Sequence, residues 1–225
     1  MDSTGYSIIV LMKKMKTAII QPVIKGIYAI TPDQINSELL LKQVKACCEG
    51  GVNVLQYRSK TLSWKKRFEQ AKEIKQITDD HKIPLIINDD IDICEHLDAF
   101  GVHLGKDDES IQNARSTLGP DKCIGLSCYN DLQRVEMAIK NDVDYVALGA
   151  CFATKTKPNA PIVSMQTLKM AVKKYDVPML AIGGITMDNI NLLKDNGMYC
   201  FALINSIFSS VDITSTVKQF KFKIR

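Results

Sequence analysis

Three long polar side chains, Gln56, Arg58 and Lys60, stand at alternate positions where an apolar run over 52–58 gives way to polar sequence. Alternate residues of an extended chain share a face, so these three point together and Tyr57 and Ser59 point the other way. Three such groups converging out of bulk water are costly without an anionic partner. Arginine offers a planar fork for phosphate oxygens and lysine a mobile point charge, so the triplet suits the grip of a phosphate or diphosphate. Farther along, Asn88-Asp89-Asp90 closes one apolar run, and His103-Leu104-Gly105-Lys106-Asp107-Asp108 closes the next. Mg2+ typically takes one or two protein carboxylates and completes its shell with water and substrate phosphate. Asp89 and Asp108 meet that requirement. Asp90 reads as the N-cap of the helix that follows, and His103 as a group packed or hydrogen-bonded inside the fold.

Ser127 ends a further run, Gly125-Leu126-Ser127. Its hydroxyl can donate to a phosphate or a ring nitrogen, or can cap the next helix. The segment 149–157 carries Thr154, Thr156, Lys155 and Lys157, two hydroxyls and two cations that suit an anion-binding loop. Gly183-Gly184 and Ile204-Asn205-Ser206 follow the last two apolar runs. Glycine lets the backbone approach a ligand closely, and loops in these positions commonly hold phosphate in one barrel architecture.

That architecture is what the intervening elements predict. Eight short apolar runs, at 26–31, 52–58, 84–88, 101–104, 122–126, 143–148, 177–182 and 199–204, alternate with helical patterns at 35–49, 64–79, 90–96, 110–118, 131–140, 165–174, 187–195 and 213–222. Ser63 is placed to cap the second of these helices. Alternating strands and helices argue for a parallel sheet, and continuously apolar strands for a sheet covered on both faces. Eight units in 225 residues fit a single-domain α/β protein, a (β/α)8 TIM barrel. Residues 1–24 read as an N-terminal extension and 25–225 as the barrel. In that fold the site lies where strands end, which is where the polar residues above are found.

Hydrophobic residues make up 46% and charged residues 24% of the chain, ordinary values for a globular protein. The net charge is +4, but the cations are dispersed and make no nucleic-acid footprint. The apolar stretch 6–12 is too short to span a bilayer, and its lysines follow it, unlike those of a signal peptide. Seven cysteines, an odd number without a C-x-x-C pair, read as buried free thiols of a cytoplasmic protein. A homo-oligomer is compatible with all of this.

The ordered motifs Gln56-x-Arg58-x-Lys60, Ile87-Asn88-Asp89, Gly101-Val102-His103-Leu104-Gly105-x-x-Asp108, Gly125-x-Ser127, Thr154-x-Thr156-Lys157 and Ile182-Gly183-Gly184-Ile185 together resemble the thiamine phosphate synthase family. The resemblance runs from Gly26 to about Ile207. It implies condensation of a hydroxymethylpyrimidine diphosphate with a hydroxyethylthiazole phosphate, giving thiamine phosphate and pyrophosphate. It assigns Gln56, Arg58, Lys60, Asn88, Ser127 and Lys157 to the pyrimidine diphosphate, with Arg58, Lys60, Ser127 and Lys157 acting in catalysis. Asp89 and Asp108 fall to Mg2+, and Thr154, Thr156, Gly184, Ile204 and Asn205 to the thiazole phosphate. The chain departs from the family pattern at Lys106-Asp107, where Gln-Glu is usual, at Asn205, where serine is frequent, and at Ala150 and Ala153, where prolines are common. Two alternatives share the fold: a thiazole tautomerase, which the resemblance gives a histidine shortly after the Ser127 position, where this chain has Cys128, Tyr129 and Asn130; and a barrel that binds a phosphorylated ligand without catalysis.

Overall fold

The computed structural model describes residue 20 and residues 23–105, 109–154 and 160–225. Eight parallel strands close into one barrel in sequence order: β1 (Gly26–Ile30), β2 (Val54–Tyr57), β3 (Leu85–Asn88), β4 (Gly101–Leu104), β5 (Cys123–Tyr129), β6 (Tyr145–Gly149), β7 (Met179–Ile182) and β8 (Cys200–Leu203). Pairing of β1 with β8, Gly26 opposite Cys200 through Ala29 opposite Leu203, completes the ring. The helices between them are α1 (Ser37–Gly50), α2 (Trp64–Asp80), α3 (Ile91–His96), α4 (Glu109–Leu118), α5 (Leu132–Lys140), α6 (Met165–Lys174) and α7 (Ile190–Asp195). Two more, α8 (Asn205–Phe208) and α9 (Ile213–Lys223), follow β8.

Strand alternation divides the apolar residues into two cores. Ile27, Ala29, Leu55, Tyr57, Ile87, Val102, Leu126 and Phe201 face outward into the layer covered by the helices. Tyr28, Ile30, Val54, Ile86, Cys123, Tyr145, Leu180 and Cys200 face inward and fill the barrel. Ile20 and Ile24, from the segment ahead of β1, join the inner cluster. The helices start where short polar side chains can accept the first free amides. Asn36 takes Leu39 N at 3.1 Å, Asp131 takes Gln133 N at 2.8 Å, Ser164 takes Thr167 N at 3.0 Å and Asp212 takes Ser215 N at 2.8 Å. Asp90 caps α3 through Ile93 N. Ser63 occupies the cap position of α2, but its side chain makes no capping bond.

The structure corrects the sequence reading in two places. The fifth strand does not stop at residue 126: β5 runs to Tyr129, with a register shift between Ser127 and Tyr129 against β6. Ser127 therefore lies within a strand, rigidly held, and not in a helix-capping turn, whose cap is Asp131. The turn after β8 contains α8, a helix too short for its periodicity to be read from sequence.

All seven cysteines are free and buried. Burial pushes the thiols of Cys48, Cys94, Cys128 and Cys151 up to about 12, which makes them inert apolar filling. No helix among the described residues is long and apolar enough to cross a membrane.

Candidate active site

A cavity of about 710 Å³ opens at the carboxyl ends of the strands. Gln56, Arg58, Asn88, Ser127, Thr154, Gly184, Ile204 and Asn205 all line it. A second recess of about 430 Å³ adjoins it, lined by Lys60, Asp89, Asp90 and Arg67, and Asn88 borders both. The sequence-selected residues thus fall into one polar region with two lobes. Asp108, Thr156 and Lys157 lie outside the described residues.

The cationic side is built on the end of β2. Thr31, at the end of β1, accepts from Arg58 N at 2.8 Å and donates its hydroxyl to Arg58 O at 3.2 Å. That reciprocal pair fixes the backbone at the point where Arg58 leaves the strand. Asp33 accepts from Lys60 N at 3.1 Å and Thr61 Oγ1 at 3.0 Å, and sits 3.9 Å from Arg58 Nη1. Burial works against its charge, but the Lys60 amide, the Thr61 hydroxyl and amide, and the Arg58 guanidinium together hold the carboxyl below its ordinary value. Neither Thr31 nor Asp33 was selected from sequence; the signal was the Thr31-Pro32-Asp33 turn closing the first strand. Asp33→Ala is expected to loosen Arg58 and the Lys60 loop. Steady-state kinetics should show the KM for an anionic substrate gripped by Arg58 rising by about three- to tenfold, the scale of a partly exposed ion pair with its hydrogen bonds. An unchanged KM would remove Asp33 from the site.

Asp89 takes a left-handed backbone with φ 61°, a conformation that aspartate tolerates better than most residues. The turn is closed by Asp89 N donating to His103 O at 2.9 Å and Asp90 N donating to Asn88 O at 2.8 Å. The Asp89 carboxylate receives the Lys60 ammonium and, at 2.9 Å, the Asn88 amide. Asp90 turns the other way, capping α3 and receiving Arg67 Nη2 at 2.9 Å. Two adjacent acids are thus separated by function: Asp90 is spent on structure, and Asp89 stands over the recess.

The floor of the cavity is a chain of polar side chains inside the barrel. Gln56 Nε2 donates to Tyr28 OH at 2.9 Å, Tyr28 OH lies 2.8 Å from Tyr145 OH, and Tyr145 OH lies 2.9 Å from His103 Nδ1. His103 Nε2 meets Ser127 Oγ at 2.9 Å. Gly125 makes this possible, since a Cβ there would fall 2.0 Å from the Tyr145 ring. His103 is therefore a hydrogen-bonded interior residue, as its place in β4 predicts. The two tyrosines were read only as strand residues.

The opposite wall is backbone. Gly183 and Gly184 have φ 100° and 64°. Cβ atoms there would sit 2.7 Å from Ala150 Cα and 2.3 Å from the Ala153 carbonyl oxygen. The β7 turn is thus pressed against the β6 loop that carries Thr154, with Cys151 N donating to Ile182 O at 2.9 Å and Phe152 N donating to Gly183 O at 3.0 Å. Asn189 locks the turn, donating to Gly184 O at 2.9 Å and accepting from Thr186 N at 2.8 Å. Ile204 and Asn205 begin α8 beside it.

Among the described residues no three of His, Cys, Asp and Glu are grouped to hold a metal. Mg2+ does not require such a group, because water and substrate phosphate supply most of its shell. Asp89 offers the hard carboxylate oxygens it prefers.

Residues 27–207 match the family model described as thiamine monophosphate synthase. The chain is 42% identical over 199 residues to a thiamine-phosphate synthase of Methylobacillus flagellatus, covering 88% of this chain and 95% of that protein. It is 40% identical over 197 residues to the thiamine-phosphate synthase of Nitrosomonas eutropha, covering 88% and 93%. Among solved structures, a thiamine phosphate pyrophosphorylase from Pyrococcus furiosus superposes with a TM-score of 0.82 at 27% identity, covering 91% of this chain and 97% of that one.

Proposed function

Because this chain belongs to the thiamine monophosphate synthase family and has thiamine-phosphate synthase activity, we propose that its two-lobed site joins hydroxymethylpyrimidine diphosphate to hydroxyethylthiazole phosphate in a dissociative substitution. The observation that carries the assignment of roles is the convergence of Gln56, Arg58, Asn88, Ser127, Thr154, Gly184 and Asn205 on one cavity. In this reading Gln56, Asn88 and Ser127 hold the pyrimidine. Its amino group pushes electrons toward the exocyclic methylene as the bond to diphosphate breaks. Arg58, Lys60 and Lys157 stabilise the charge that gathers on the leaving pyrophosphate. Thr154, Thr156, Gly184, Ile204 and Asn205 hold the thiazole phosphate so that the thiazole nitrogen faces the methylene carbon, a positioning task. That nitrogen loses no proton when it attacks, so no general base is required. When bound, Mg2+ held by Asp89 and Asp108 would neutralise charge on the diphosphate.

The carboxylate of Asp89 is shared by Lys60 and Asn88, so a cation arriving there competes with Lys60 and turns it toward the anionic ligand. We assign the chain to the cytoplasm, a reducing compartment that suits seven free thiols. Residues 1–24 are taken as a unit ahead of the barrel, a reading supported by the packing of Ile20 and Ile24 with the inner core. The test is to supply both substrates with Mg2+ and follow thiamine phosphate by chromatography. Formation is expected to stop with EDTA and return with excess Mg2+. Turnover that survives exhaustive chelation would sink the metal assignment while leaving the synthase itself intact.

A further inference from the structure

The polar chain under the cavity has a direction. Tyr28 and Tyr145 are wholly buried and His103 and Gln56 nearly so, so each hydroxyl proton must find an acceptor within the chain. Tyr28 OH accepts from Gln56 Nε2. Its own proton then goes to its other neighbour, the Tyr145 oxygen, 2.8 Å away. The Tyr145 proton in turn goes to His103 Nδ1 at 2.9 Å. An imidazole that accepts at Nδ1 carries its proton on Nε2, and that N–H is aimed at Ser127 Oγ at 2.9 Å. Ser127 Oγ is therefore an acceptor on its buried side, and its own proton is left for the cavity it lines. Burial raises the pKa of both phenols above the ordinary value, so each keeps the proton that the relay needs.

We propose that Tyr28, Tyr145 and His103 are positioning residues forming a one-way hydrogen-bond relay, which fixes His103 as its Nε2–H tautomer and presents the Ser127 hydroxyl to the ligand as a donor. The ligand atom it selects is an acceptor, a heteroaromatic ring nitrogen or a phosphate oxygen. This deepens the proposed pyrimidine diphosphate site and rests on Ser127 touching that ligand. The relay also couples the two ends of the site. Turning the Gln56 amide over would reverse every link and leave Ser127 as an acceptor.

Reading the tautomer requires neither substrate nor substitution. Two-bond proton–nitrogen correlation spectra of the uniformly labelled, ligand-free protein report which ring nitrogen is protonated, at about pH 8.5, above the ordinary histidine range. Residue-specific assignment comes from triple-resonance experiments. His103 is expected to show the Nε2–H pattern. His81 supplies the opposite pattern in the same spectrum, because its Nδ1 lies 2.8 Å from the Ile77 carbonyl, which can only accept. A Nδ1–H or doubly protonated His103 overturns the proposal and leaves the synthase reading untouched.

A second arm uses Tyr145→Phe. It should mix the His103 tautomers and raise the KM for the pyrimidine diphosphate by about tenfold, the scale of one lost buried hydrogen bond. The KM for the thiazole phosphate should hold. His103→Gln, whose amide can also accept and donate, should retain more of the pyrimidine affinity than His103→Leu. Equal losses in those two variants, or a Tyr145→Phe protein with an unchanged tautomer and KM, would count against the relay.

Discussion

Replacing Asp89 with alanine is expected to lower kcat/KM of the synthase reaction by at least about 10²–10³-fold, the scale of a lost metal ligand together with a misplaced cation. Two properties of Asp89 are removed at once. Its carboxylate holds Lys60 and the Asn88 amide, and its φ of 61° is one that alanine adopts reluctantly. Asp89→Asn separates them, since asparagine keeps the tolerance for a left-handed backbone and gives up the charge. Loss of turnover in both variants, with little change in melting temperature, assigns the effect to the carboxylate. Normal, Mg2+-dependent turnover by Asp89→Asn would show that only the turn matters and would end the metal assignment. Magnesium titration of each variant is the direct measurement, because a surviving weak site appears there as a raised requirement for the ion.

The second large effect is expected from a single methyl group. Gly184→Ala places a Cβ 2.3 Å from the Ala153 carbonyl oxygen and 2.7 Å from the Phe152 carbonyl oxygen, at a residue with φ 64°. Both neighbours are backbone, so the β7 turn and the β6 loop must part. Strain and displacement together should cost about 2–4 kcal/mol of stability. Because those two segments form one wall of the cavity, kcat/KM should fall by about 10²-fold, the scale of a misplaced binding wall. The loss should fall chiefly on the thiazole phosphate. Gly119→Ala is the control: its φ is also positive, at 76°, but nothing lies within 4 Å of the added atom. It should cost about 1 kcal/mol and leave the kinetics unchanged. If Gly184→Ala behaves like Gly119→Ala, the close approach has no part in activity.

The barrel was legible because its strands carry their message locally. Runs such as 84–88 and 199–204 are apolar on both faces, as strands enclosed on both sides must be, and each ends in polar residues that a core would not accept. Gln56, Arg58 and Asn88 could be selected on that ground alone, and they line the cavity. What stayed hidden depended on pairings remote in sequence. Tyr28 and Tyr145 look like ordinary strand aromatics until the closed barrel brings their hydroxyls together across 117 residues. Asp33 lies beyond a proline, and only the arrival of β2 shows what it holds. The end of β5 was misplaced because Ser127 and Asn130 are turn-prone residues. Tertiary pairing with β6 overrode that preference and carried the strand through to Tyr129.

The filled lower half of the barrel sets the traffic of the reaction. Among the described residues, Ile20 and Ile24 pack with the inner residues of the strands at the end away from the cavity. Two substrates and two products share the opening at the carboxyl ends of the strands. Whatever occupies the outer part of the cavity detains whatever lies beneath it. Arrivals and departures are then expected to be sequential, with the product nearer the rim leaving first. At high concentration that product should slow turnover by re-entering the same opening, however fast the bond between the two rings is made.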